Sequence, residues 1–182
     1  ASHNIYNALA AISCGSLLGI PYNSIINSIK KFRFPEGRFC LKKVGSLCVI
    51  DDTYNANPSS LRCAIESLVA LRAQRRILVC GDMLELGKRS QALHQQVGRW
   101  AAKKGVDHVF SFGNISQALS QAHHQYKPKA CNQHFDDISL LNKHLHTFSQ
   151  QGDVILVKGS RSMKMERTVR YLLKLKDKLK YT

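Results

Sequence analysis

Three short stretches gather the side chains best able to do chemistry: D-D-T-Y-N-A-N-P at 51–58, G-D-M-L-E-L-G at 81–87 and K-G-S-R-S at 158–162. In the first, Asp51 and Asp52 could bind ribose hydroxyls or a metal, and they could equally cap a turn. Tyr54, Asn55 and Asn57 add hydrogen-bonding groups beside them. In the second, Asp82 and Glu85 could hold an ammonium group, or Asp82 could cap the next loop. The third sets Lys158, Ser160 and Arg161 at an expected helix start, where side-chain donors and free backbone N–H groups together suit an anion. Basic side chains at a helix N-terminus oppose its dipole. That opposition favours an anion site over a plain Gly159 turn with two solvated cations.

Each stretch follows a short apolar run, and the runs at 77–80 and 154–157 are continuous, as in strands buried on both faces. Loops that follow the strands of an open α/β sheet converge on one edge, where ligands bind. The pattern predicts strands at 39–44 and 47–51 around Gly45-Ser46, a hairpin signal. Further strands fall at 77–80, 106–112, weakly 131–135, and 154–157. A helix starts at Pro58 with Asn57 as its cap and carries Leu61, Ile65, Leu68 and Arg72 in one row. The next, over 89–104, places Leu93, Val97, Trp100 and Ala101 on one stripe and stops at Gly105. A short helix ends near His123, and another, capped by Asp136 or Asp137, runs to Ser149. The last presents Met165, Val169, Leu172 and Leu179. Residues 3–19 and 21–32 read as two more helices, and F-P-E-G-R-F at 34–39 as a linker. The predicted fold is α/β: a mostly parallel Rossmann-like sheet flanked by helices, with an initial β-hairpin. Two helices of a neighbouring domain precede it, giving domains 1–35 and 36–182.

Composition narrows the classes of function. The 182 residues are 44% hydrophobic and 21% charged, an ordinary balance for a globular chain. No apolar run approaches the ~20 residues that span a bilayer, so membrane insertion is not expected. The apolar start has no basic leader, and the chain opens at Ala1 without a Met, which suggests a cut piece of a longer protein rather than a signal peptide. The net charge of +15 is spread over several segments, with eight basic and two acidic residues in 161–182. No aromatic residues alternate with the basic ones as a base-stacking platform would need. The charge therefore predicts a solvated face with some steering of anionic substrates, and no nucleic-acid partner. The six cysteines lack a C-x-x-C pair, which suggests reduced thiols in a cytoplasmic protein. Eight scattered histidines predict no metal site. A monomer is expected. There is neither a G-x-x-x-x-G-K-[ST] phosphate loop nor a complete G-x-G-x-x-G.

Five motifs run in order along nearly the whole chain: H-N-x-x-N-A-L-A-A (3–11), P-x-G-R (35–38), D-D-T-Y-N-A-N-P (51–58), G-D-M-L-E-L-G (81–87) and V-K-G-S-R-S (157–162). Together they resemble the Mur ligases, most of all the branch that adds D-alanyl-D-alanine to UDP-N-acetylmuramoyl-tripeptide in peptidoglycan synthesis. The resemblance implies that residues 1–35 end the central ATPase domain and that 36–182 form the C-terminal ligase domain. It implies that Asn4 and Asn7 approach the adenine nucleotide, that Arg38 reaches the ATP phosphates, and that Asp52 and Tyr54 lie near the ribose. Asn55, Asn57, Asp82, Met83, Ser160 and Arg161 would serve the substrate, with Arg161 on the dipeptide carboxylate and Asp82 at its amine end. Lys158 would act in catalysis, near the phosphate being displaced.

The reaction so implied uses ATP and Mg to phosphorylate the tripeptide carboxylate, and the dipeptide amine then attacks the acyl phosphate. The UDP-sugar domain, the phosphate loop and the metal ligands of the family's central domain are not among the 182 residues. Ala1-Ser2 also stands where a Gly-Arg pair often precedes the His-Asn motif. The expectation is part of a ligase, inactive alone for want of the electrostatic stabilisation that phosphoryl transfer needs. Two other classes give the alternatives: a stand-alone α/β module binding a nucleotide or small anion, and a basic nucleic-acid-binding protein.

Overall fold

Successive side chains of a strand point to opposite faces, so the continuous apolar runs of the central strands supply both faces of one sheet. The computed structural model describes residues 2–33 and 35–174, without the side chains of 2–4. The chain divides after Pro35 into two compact units. The first holds α1 (Ser2–Leu17) and α2 (Tyr22–Lys31), with Ile25 buried.

In the second unit, six strands among the described residues form one sheet. They are β1 (Cys40–Val44), β2 (Leu47–Asp52), β3 (Arg75–Gly81), β4 (His108–Phe112), β5 (Asn132–Phe135) and β6 (Asp153–Lys158). Their order is β1-β2-β6-β3-β4-β5. β1 and β2 are an antiparallel hairpin with Val44 opposite Leu47, and every other pair is parallel. The helices are α3 (Pro58–Val69), α4 (Ser90–Lys104), α5 (Gln117–Tyr126), α6 (Ile138–Phe148) and α7 (Glu166–Leu173).

On one face, Ile50, Leu78, Val109 and Leu156 pack with Leu61, Ile65 and Leu68 of α3, Val97 and Ala101 of α4, and Leu119 of α5. On the other, Val49, Val79, Phe110 and Ile155 meet Leu141 and Leu145 of α6 and Val169 and Leu172 of α7. Burying each such side chain contributes roughly 1.5–3 kcal/mol. Asn57 caps α3 through a reciprocal pair with Ser60, at 2.8 and 3.1 Å. Asp137 caps α6 by accepting from the Ser139 N–H. Gly105 ends α4 in the left-handed conformation, φ 96°.

Several details differ from the sequence reading. β3 starts at Arg75 rather than 77, because Asp153 on neighbouring β6 neutralises the Arg75 guanidinium at 2.7 and 2.6 Å. β4 starts at His108 rather than 106. The buried stripe of α4 runs through His94, Val97, Gly98 and Ala101, so Leu93 and Trp100 lie beside it, only half-buried. Gly98 is needed there, since a Cβ would come within 2.1 Å of the Leu119 carbonyl oxygen on α5. Last, the stretch after Gly159 does not open directly into an α-helix. A 3-10 turn (Arg161–Met163) and a left-handed Lys164 intervene before α7. Leu179, expected on that helix, lies outside the described residues. Cys14, Cys48, Cys63, Cys80 and Cys131 are free thiols, and no helix among the described residues is long and apolar enough to cross a membrane.

Candidate functional site

β2, β6 and β3 are neighbours, so the loops after Asp52, Lys158 and Gly81 leave the same edge of the sheet side by side. Adjacent residues on a strand face opposite ways, and the two carboxylates at the end of β2 divide accordingly. Asp51 is buried, accepts from the Thr53 hydroxyl at 2.7 Å and pairs with Lys42 on β1 at 3.2 Å. Asp52 turns to β6, where its Oδ2 meets the Lys158 Nζ at 2.6 Å. Its Oδ1 accepts the Phe39 N–H at 3.1 Å. The two carboxylates therefore cannot act as a pair on one ligand.

Lys158 is not a solvated cation. Its side chain is 4% exposed, and besides Asp52 it donates to the Asn55 carbonyl at 2.8 Å. Ser160 is also buried. Its hydroxyl accepts the Leu84 N–H at 2.8 Å and donates to the Ala56 carbonyl at 3.3 Å, and its own N–H donates to the Asp82 carbonyl at 3.0 Å. One serine thus joins all three loops. The hydroxyl and ammonium expected to bind an anion are already engaged, so of the third motif Arg161 and Ser162 alone face solvent, and Arg161, with its side chain 67% exposed and 3.9 Å from Glu166, carries the only outward charge.

Asp82 is 3% exposed and accepts the backbone N–H groups of Asn114, Ile115 and Ser116 at 2.8, 3.0 and 2.7 Å. It secures the turn after β4, the capping alternative, and presents no oxygen to an incoming amine. Met83 is fully buried in the core, so its side chain meets no ligand either, and its N–H donates to His94 Nε2 at 3.0 Å. Because Nε2 accepts, Nδ1 carries the proton and donates to the Ser90 carbonyl at 2.8 Å. Burial, foremost, lowers the His94 pKa and suits this neutral form. Asn55 is exposed and its Oδ1 accepts the Ala56 N–H at 2.9 Å, while Asn57 serves as the α3 cap.

Before β1, the chain bends back onto this edge. Tyr54 donates its N–H to the Gly37 carbonyl at 2.9 Å. A Cβ on Gly37 would lie 3.0 Å from that same nitrogen, and its φ of +75° also calls for glycine. Arg38 is exposed, with its guanidinium 4.0 Å above the Tyr54 ring. Phe39 follows with φ +54°, an uncommon conformation for a bulky side chain. Asn4 and Asn7 lie on α1, in the first unit.

Arg38 and Arg161 are thus exposed guanidinium groups suited to anionic ligands. Among the described residues no three His, Cys, Asp or Glu side chains come together as a metal-ligand set. Sequence reasoning missed Phe39, Thr53 and His94. His94 had a faint signal, four residues after Ser90 on a helical row, and the left-handed Phe39 had none.

Residues 37–161 match the family described as Mur ligase, glutamate ligase domain. The chain belongs to the Mur ligase family. Among Mur ligases, the UDP-N-acetylmuramoyl-tripeptide--D-alanyl-D-alanine ligase of Escherichia coli K12 is 39% identical over 173 residues, covering 93% of this chain and 37% of that protein. The ligase of the same name from Bacillus subtilis is 32% identical, covering 94% of this chain and 38% of that protein. MurF from Acinetobacter baumannii superposes with a TM-score of 0.84 at 29% identity, over 96% of this chain and 38% of that one. A Thermotoga maritima MurF ligase in complex with ADP gives 0.76 at 27% identity, over 92% and 37%. The chain therefore spans under two fifths of the length of these Mur ligases, and its mostly parallel α/β sheet is the fold they share.

Proposed function

We propose that this chain is the C-terminal part of an ATP-dependent amide ligase of the cytoplasm. The ligase joins D-alanyl-D-alanine to UDP-N-acetylmuramoyl-tripeptide during peptidoglycan synthesis. The observation that carries this reading is the single sheet edge on which exposed Arg38 and Arg161 flank three cross-bonded loops, in a chain whose relatives bear that ligase's name. ATP supplies the phosphoryl group that activates the tripeptide carboxylate. Arg38 holds nucleotide phosphate, because stacking on Tyr54 orients its planar fork and leaves the N–H edges free. Asn4 and Asn7 of α1 serve the adenine. Magnesium sits mostly on the parts of the ligase that these 182 residues do not contain.

Arg161 takes the carboxylate of the dipeptide, leaving its amine free to attack the acyl phosphate. Asn55, exposed at the same edge, contributes to that pocket. In the intact ligase, Arg161→Ala should raise KM for D-alanyl-D-alanine roughly 10- to 100-fold, since a charge-assisted contact is worth about 1.5–3 kcal/mol. KM for ATP should stay near its starting value. Equal losses for both substrates, or an unchanged dipeptide KM, would remove Arg161 from this role. No turnover of the unsubstituted ligase with these substrates would overturn the function itself.

A further inference from the structure

We infer that Lys158 is a positioning residue: its buried ammonium fixes the Asp52 carboxylate, which holds the left-handed Phe39 and thereby sets Arg38 on Tyr54. An ammonium has three donors, and two of them are directed at Asp52 Oδ2, at 2.6 Å, and the Asn55 carbonyl, at 2.8 Å. The third has little access to an outside phosphate, because the Lys158 side chain is only 4% exposed, and swinging it outward would leave the 15%-exposed Asp52 carboxylate uncompensated. The charge of Lys158 acts inward.

The other oxygen of Asp52 shows what that inward charge accomplishes. Oδ1 accepts the N–H of Phe39, whose φ of +54° persists only if its surroundings enforce it. One residue earlier on the opposite side of Arg38, the Gly37 carbonyl is held by the Tyr54 N–H. Arg38 is therefore fixed fore and aft by the β2–α3 loop, and its side chain rests on a ring from that same loop. Lys158 anchors this loop twice, through Asp52 and through the carbonyl of Asn55. The connection is invisible along the chain, since Lys158 lies 106 residues from Asp52.

This inference rests on the proposed role of Arg38 toward nucleotide phosphate, and it separates two residues that share a loop. Lys158 lies three positions from Arg161, yet its loss should resemble a lesion at Arg38. In the intact ligase, Lys158→Met should raise KM for ATP roughly 10-fold or more, the scale of one lost charge-assisted contact. KM for D-alanyl-D-alanine should change little. A merely destabilising change would not divide the two constants in this way.

The second measurement is amide hydrogen exchange on the 182-residue chain. Lys158→Met should speed exchange at Phe39 and Tyr54 while Ile155 and Val79, in the sheet centre, keep their protection. Asp52→Asn, close in shape but without the charge, is measured alongside and gives the same direction at Phe39 if the first variant fails to fold. Unchanged Phe39 protection in whichever variant folds would overturn the inference. So would a Lys158→Met ligase with a raised dipeptide KM and an unaltered ATP KM. If the ligase reading itself were wrong, neither KM would be measurable in the unsubstituted protein, while exchange at Phe39 would still decide whether the clamp exists.

Discussion

A carboxylate at the end of a strand can face a ligand or the protein, and Asp82 faces the protein. Its oxygens accept the N–H groups of Asn114, Ile115 and Ser116, the turn that leads into α5. Asp82→Ala should therefore cost about 3 kcal/mol, the scale of charge-assisted hydrogen bonds left unmade in the interior. That corresponds to a loss of roughly 6–12 °C in melting temperature for a chain of this size. Calorimetry showing an unchanged midpoint would refute the capping role. The histidines add a pH dependence. His94, His108, His123 and His144 all have lowered pKa values, with burial the foremost cause, and His123 falls to about 4. The unfolded chain then binds protons more readily, so stability is complete above about pH 6.5 and declines as pH falls toward 4. His123 accepts from Asn132 through Nδ1 and donates to the Val106 carbonyl through Nε2, the arrangement of a neutral ring. Melting curves at pH 7 and pH 5 should differ, and His123→Gln should narrow the gap. An equal gap in that variant would assign the effect elsewhere. None of these partnerships follows from local sequence. Asp82 and the turn that donates to it are more than thirty positions apart, and spacing alone left both the ligand-binding and the capping reading open.

At the scale of elements, much of the fold was legible because buried parallel strands are continuous apolar runs and capped helices carry Asn-Pro or Asp at their starts. The hairpin at Gly45-Ser46, the Asn57 cap and the Gly105 stop all emerge from such local chemistry. The misses were tertiary in origin. Arg75 extends β3 only because Asp153 lies beside it, and the 3-10 turn after Ser160 is set by bonds to neighbouring loops. The stripe of α4 was misplaced because its central residue has no side chain at all. There the helix scale offers a test. Gly98→Ala should favour an isolated helix by about 1 kcal/mol. In this fold the new Cβ meets the Leu119 carbonyl, so the variant should instead lose roughly 1–3 kcal/mol, as overpacked contacts do. A higher urea midpoint for the variant would show that α4 and α5 can separate without cost.

For the molecule as a whole, the place of β6 has a consequence for how the protein is made. β1 and β2 form one piece of sheet and β3, β4 and β5 another, and these pieces touch through β6. During synthesis, β2 has emerged about 100 residues before β6, an interval of roughly 5–20 s at ordinary elongation rates. Through that interval β2 and β3 each present an unpaired apolar edge waiting for the same partner, the kind of edge that invites mispairing. The strand that ends the wait is followed within three residues by Lys158's neighbours Ser160 and Arg161, so the sheet and the loops at its edge are completed in one event. A nascent chain stopped short of Asp153 would therefore hold the loops after β2 and β3 but lack the strand that brings them together, and quality control in the cell would meet it as two unjoined pieces of sheet.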